Sequence, residues 1–328
     1  MAIGGALEIA PLCPSRRIGI DRIPTRAHKV TSGYIMDASF VDRARFLLSR
    51  PPAAPRAPYS LLDVGKASLR ISDRGGGPLS FVVTPDPPNV LEHHDAALAS
   101  LAQHGRAVGV ELPGFGHSRP APSFGFSVDE NADLLLRALE KLDVERAVLV
   151  FPCLPGLIAL EAARRAPGRI AAVVLAQTPS FQDALSWSKR VDFRGLIGTP
   201  IVGQLLVRAL RKPLARSWYR AALPRGVDDK AYLEPALDAY AQGADYSLAS
   251  ALQAIHRAEP PSQPVPVPVL SIWGNADRTH RQSDPGGSVA LAHRRKLVVF
   301  EGSGHFPDLE QPQRFEREVL QFIGEELQ

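Results

Sequence analysis

Cys153 stands where one kind of chain segment gives way to another. The run Ala147 to Phe151 is apolar throughout, Pro152-Cys153-Leu154-Pro155 makes a corner, and Gly156 to Ala163 has the composition of a helix. A thiol at a strand–corner–helix junction points out of the core toward a cleft. This is the layout of a nucleophile elbow, with cysteine where G-x-S-x-G carries serine. Phe151 and Pro155 replace both flanking glycines. The attacking form of cysteine is the thiolate, and a helix beginning near Leu154 aims its positive end at Cys153, which favours that form. Pro155 costs little there, because an amide in the first turn has no helical partner. The chemistry expected of such a thiol is attack on an activated acyl carbon, as in a thioester, lactone or enol ester, rather than on a plain amide.

The elements that must position this thiol follow a regular rhythm from about residue 62. Strands are predicted near 67–72, 79–84, 106–111, 145–151, 171–175, 267–273 and 296–300, and helices near 92–103, 127–141, 154–166, 284–293 and 312–326. Runs such as Val148-Leu149-Val150 and Ala172-Val173-Val174-Leu175 are apolar on both faces, as in parallel strands covered on each side by helices. The alternation implies an α/β fold with a mostly parallel, doubly wound sheet. Between about 178 and 262 the strand signal disappears and helices are expected over Ile201 to Leu210, Leu233 to Ala241 and Ser247 to Ala258. An insertion there lies over the C-terminal edge of the sheet, where such folds bind ligands, and is read as a helical cap. The expected organisation is an N-terminal extension with a Pro-rich linker over 1–60, a core over 61–177 and 263–328, and a cap over 178–262. One helix is plausible within the extension, near Asp37 to Ser49.

At 328 residues, 45% hydrophobic and 22% charged, the chain has the composition of a soluble globular enzyme with a sizeable core. Its net charge of +4 comes from arginines spread along the chain, which gives no nucleic-acid footprint. The densest basic stretch, Arg208 to Arg220, is read as the solvated side of a helix whose leucines Leu205, Leu206, Leu210 and Leu214 face inward. Two cysteines, Cys13 and Cys153, build no disulfide framework. The first residues lack the basic start of a signal peptide, and no window reaches the roughly 20 apolar residues of a membrane span. The expectation is a cytoplasmic protein with no cofactor and no metal, acting on a small, apolar acyl compound. Nothing in the sequence assigns an oligomeric state.

Four landmarks in order carry a resemblance. Glu111-Leu112-Pro113-Gly114-Phe115-Gly116-His117-Ser118 is similar to a D-x-P-G-x-G-x-S loop with Glu for Asp. The elbow at Cys153 follows, then Trp273-Gly274-Asn275-Ala276-Asp277 as a W-G-x-x-D turn, then Gly302-Ser303-Gly304-His305 leading to Glu310-Gln311-Pro312 as a G-x-G-H-x-x-x-x-E-x-P ending. Over about 62–326 the chain resembles the cap-bearing α/β-hydrolase fold family. The resemblance implies a triad in the order nucleophile, acid, histidine: Cys153, Asp277 and His305. It also implies two oxyanion donors, the backbone N–H groups of Leu154 and Asp86. The second sits in Thr84-Pro85-Asp86-Pro87-Pro88-Asn89, where three prolines lack an N–H and where the Asp86 carboxylate stands near the developing charge. Phe151, His93, His94 and Trp187 are candidate pocket residues. Two other readings stand beside acyl transfer or hydrolysis. One is a ligand-binding protein without turnover on the same scaffold. The other is a cofactor-free lyase, cyclase or oxygenase with His305 as base.

Overall fold

The structure is a computed structural model that describes residues 58–121, 123–261 and 263–327. Cys13, the helix expected near 37–49 and most of the proline-rich linker lie outside these residues. The described chain begins with β1 (Tyr59–Asp63), so the sheet starts inside the segment expected to be linker.

Nine strands form one sheet among the described residues: β1, β2 (Ala67–Gly75), β3 (Ser80–Val83), β4 (Arg106–Val110), β5 (Arg119–Pro120), β6 (Ala147–Pro152), β7 (Ile170–Ala176), β8 (Val269–Gly274) and β9 (Arg295–Phe300). Their order is β1-β2-β4-β3-β6-β7-β8-β9, with β5 beside β2. β2 is antiparallel to β1 and β4, and the strands from β4 through β9 along this path run parallel. The all-apolar strands are the central ones, and every residue of β3, β6 and β8 is buried, as two-sided coverage demands.

Helices α1 (Asp95–Leu101), α2 (Val128–Lys141) and α3 (Cys153–Arg165) follow β3, β5 and β6. After β7 come α4 (Phe181–Val191), α5 (Val202–Ala222), α6 (Lys230–Ala241) and α7 (Ala244–Arg257), and after β9 come α8 (Pro307–Glu310) and α9 (Pro312–Glu326). One face of the sheet packs on α2 and α3 through Leu134, Leu135, Ile158 and Ala162. The other packs on α1 and α9 through Leu98, Phe315, Val319 and Phe322. The α4–α7 insertion is tied to the sheet by Phe181 and Ile255 against Leu157 of α3 and by Tyr219 and Ala222 beside Val90 and Phe306.

Two expectations are corrected. No long helix forms over 284–293; turns and a single 3-10 turn at Gly287–Val289 stand there, because Pro285-Gly286-Gly287 combines the poorest helix formers. In α5 the buried face is Gln204, Val207, Ala215 and Tyr219, while Leu205, Leu210 and Leu214 are exposed. Arg208 is not simply solvated: its guanidinium pairs with the buried Asp245 of α7 at 3.0 Å. A buried carboxylate needs that partner.

Candidate active site

Cys153 opens α3 directly after β6, with φ +42. Left-handed backbone at a non-glycine residue costs on the order of 1–3 kcal/mol and persists where the surroundings impose it. Gly156 is part of that imposition, since a Cβ there would overlap Thr178 beyond β7. The close strand–helix approach usually granted by flanking glycines is granted here by Gly156. Phe151 turns into the core, fully buried among α2 and α3 side chains, and does not border the cleft.

His305 lies in the loop after β9, wholly buried. Its Nδ1 is 2.8 Å from Asp277 Oδ2 in the loop after β8. Asp277 is itself held by the Thr279 N–H (2.7 Å), the Thr279 hydroxyl (2.8 Å) and the Gln177 amide (2.9 Å). Gln177 in turn accepts from the Gly274 N–H at 2.7 Å, so both strand ends lock the carboxylate. The far nitrogen, Nε2, faces Asp86 Oδ2 at 3.1 Å. Asp86 follows β3, and its carbonyl accepts from the Asn89 N–H at 2.8 Å. Tyr219 of α5 donates to the Asn89 side chain at 2.8 Å, which braces this loop against the insertion.

Cys153 Sγ, a ring nitrogen of His305 and a ring nitrogen of His280 lie within 4.8 Å of one another. His280 Nε2 lies 3.8 Å from the thiol. Nothing in the sequence reading selected His280; its one signal was its place three residues after Asp277. Its ring stacks between His305 (5.4 Å) and Trp187 (5.7 Å).

The electrostatics differ from those expected at the elbow. Burial, then the Asp86 carboxylate, push the Cys153 thiol up to about 11, against the pull of His305 and the Leu154 N–H. At pH 7 only about one thiol in 10⁴ is then ionised. The helix N-terminus does not offset the loss of water. Burial opposes charge on His305, but Asp277, the neighbouring thiol and the hydrogen bonds to Asp277 and Asp86 hold its pKa well above the usual imidazole value. Burial opposes the Asp277 anion too, and His305 outweighs it, keeping that carboxyl low. Asp86 is raised by burial despite His305. Burial and the charge of His305 drive His280 down to about 3, so its ring is neutral.

Cys153, Asp86, Leu154, Trp187 and Trp218 border a cavity of about 590 Å³, a size suited to a small organic ligand. Its walls are mainly apolar, with Phe115, Val207, Leu252 and Ile255 among them, and Arg190 and Arg278 supply charge. His93 and His94 are not on this wall. His93 stacks on Tyr232 and lies 3.2 Å from its carbonyl, and His94 pairs with Asp308 at 3.0 Å.

An α/β-hydrolase fold family matches residues 90–197. A Pseudomonas aeruginosa protein provisionally assigned as an epoxide hydrolase superposes with a TM-score of 0.70 at 19% identity, covering 84% of this chain and 98% of the other. The chain has the α/β-hydrolase fold. A hydrolase from Pseudomonas aeruginosa PA01 superposes on this α/β-hydrolase-fold chain with a TM-score of 0.66 at 24% identity, covering 82% and 100%. In sequence this chain is 26% identical to the dihydrolipoyllysine-residue acetyltransferase component of the acetoin cleaving system of Pseudomonas putida, over 87% of this chain and 73% of that protein. Among the described residues no helix is long and apolar enough to cross a membrane.

Proposed function

We propose that this α/β-hydrolase-fold protein is an enzyme that transfers or hydrolyses apolar acyl groups through a thioester on Cys153. One observation carries the reading: the Cys153 thiol sits at a strained elbow on the wall of an apolar cavity, with an Asp277-anchored His305 nitrogen within 4.8 Å.

The resting arrangement has a proton shared between His305 Nε2 and Asp86. In the reaction that proton passes to Asp86, and the acid form turns its O–H toward the substrate carbonyl. An apolar site can keep a carboxylic acid neutral so that it donates in this way. Nε2 is then open to take the thiol proton as sulfur bonds to the acyl carbon. The oxyanion is held by Asp86 O–H and the Leu154 N–H, which already points at Cys153. Collapse breaks the bond to the leaving group, which takes the Nε2 proton. Water, an alcohol or an amine next gives a proton to His305 and attacks the thioester, and the thiol is restored. Asp86 is thereby a donor of its own proton, in place of the backbone donor that hydrolases usually present.

A second reading rests on the contact of His305 Nε2 with Asp86. An Asp86–His305 acid–base pair could act directly on substrate in a lyase, cyclase or cofactor-free oxygenase, with Cys153 only lining the wall. Incubation with a panel of acyl thioesters and intact-mass analysis separates the two. The acyl reading expects one acyl adduct, mapped to Cys153 and absent in Cys153→Ala, which also loses turnover. Turnover that persists in Cys153→Ala but not in His305→Ala would overturn it.

A further inference from the structure

The side chains behind the thiol satisfy a second chemistry. Each imidazole is anchored at Nδ1: His305 by Asp277 Oδ2 at 2.8 Å and His280 by Ser283 Oγ at 3.0 Å. Outer partners of this kind fix ring orientation and tautomer in metal sites. Cys153 Sγ supplies a sulfur 3.8 Å from His280 Nε2, and it and one nitrogen of each ring lie within 4.8 Å of one another. Tetrahedral zinc with bonds of about 2.3 Å to sulfur and about 2.05 Å to nitrogen separates S and N by about 3.6 Å, and two N by about 3.3 Å. The Sγ–Nε2 separation is close to that value, and the other spacings contract by up to about 1.5 Å on binding.

We infer that Cys153, His280 and His305 form a binding site for a divalent d-block cation of the Zn²⁺ type. One thiolate and two imidazoles suit zinc better than the hard cations Mg²⁺ and Ca²⁺. Binding displaces the thiol proton, the proton on His305 Nε2 passes to Asp86, and sulfur and two nitrogens each donate a pair to the ion. Three protein ligands leave the fourth tetrahedral position to water. The consequence for the proposed acyl chemistry, on which this last step alone rests, is that a metal-bound sulfur cannot attack. The ion is a reversible block on Cys153.

The test uses the full chain, stripped with EDTA and titrated with Co²⁺ as a spectroscopic probe. The expected result is one Co²⁺ per chain, with a thiolate-to-cobalt charge-transfer band and the intense visible bands of tetrahedral cobalt. Zn²⁺ displaces it, and Cys153 loses its reactivity toward iodoacetamide until EDTA is added. The Cys153→Ala variant loses the charge-transfer band, and His280→Gln, checked for native circular dichroism, binds at least about tenfold more weakly. No charge-transfer band in the parent, or an unchanged band in Cys153→Ala or in folded His280→Gln, would overturn the site. These readouts need no turnover. A failed metal titration with a Cys153 acyl adduct intact sinks the metal site alone, and the converse sinks the acyl reading alone.

Discussion

Asp86 and the Cys153 thiolate compete for a single proton donor, His305 Nε2. Asp86 holds that position at 3.1 Å, and its charge is the second cause, after burial, of a thiol pKa of about 11. Asp86→Asn keeps the size of the side chain and removes the competing charge, so the thiolate becomes the natural counter-ion of His305. Removing one nearby like charge is worth about 1–2 pKa units, while the burial contribution stays. The thiolate fraction at pH 7 rises about 10- to 100-fold. Intrinsic nucleophilicity falls with pKa with a slope of about 0.4–0.5, so the rate toward an aromatic disulfide reagent rises only about 3- to 15-fold. The assay is stopped-flow labelling across pH, with a Cys13→Ser background so that one thiol reports. The midpoint of the rate–pH profile falls by the same 1–2 units. A rate at pH 7 that is unchanged or lower, with the midpoint still near 11, would refute the claim that Asp86 holds the resting thiol neutral.

Gly116 has φ +53, and a Cβ there would overlap the buried Glu111 carboxylate, which accepts from the Leu91 N–H at 3.0 Å and the His117 N–H at 2.7 Å. Gly116→Ala is expected to cost about 2–4 kcal/mol, read as a lower urea midpoint at constant slope. His280 has a folded pKa of about 3 against an ordinary 6.5, so the unfolded chain binds more protons between those values. Stability present above pH 6.5 is lost as pH falls toward 3, by at most roughly 5 kcal/mol. His280→Gln flattens that acid limb in denaturant titrations; an equally steep limb would show that other groups govern it.

The strands from β2 to β9, β5 aside, stand close to where apolar runs and turn residues put them. Patterns of this kind are local, and the central runs are apolar because both faces of their strands are covered. The structure brings Cys153, Asp277 and His305 together, with Asp86 beside His305. The neighbours chosen by adjacency fared differently. Phe151, two residues before the thiol, packs into the core on the strand face it shares with Ala147 and Leu149, and the turn at Cys153, with φ +42, ends that alternation before the thiol. His93 and His94, one turn past the oxyanion loop, turn to Tyr232 and Asp308. His280 escaped notice because a histidine three residues beyond the acid means nothing until the loop after β8 folds back over the elbow.

What the amino-acid order settles alone is a parallel sheet, an elbow with sulfur at its apex, and an acid and a histidine in the right succession. Tertiary structure decides the protonation and the partners. His305 and Asp86 are 219 positions apart, and their contact exists only because β3 and β9 end at the same edge of the sheet. The same assembly removes water from Cys153, and a sulfur without water keeps its proton. Charge states follow from solvation and distance, which a chain acquires only when it folds.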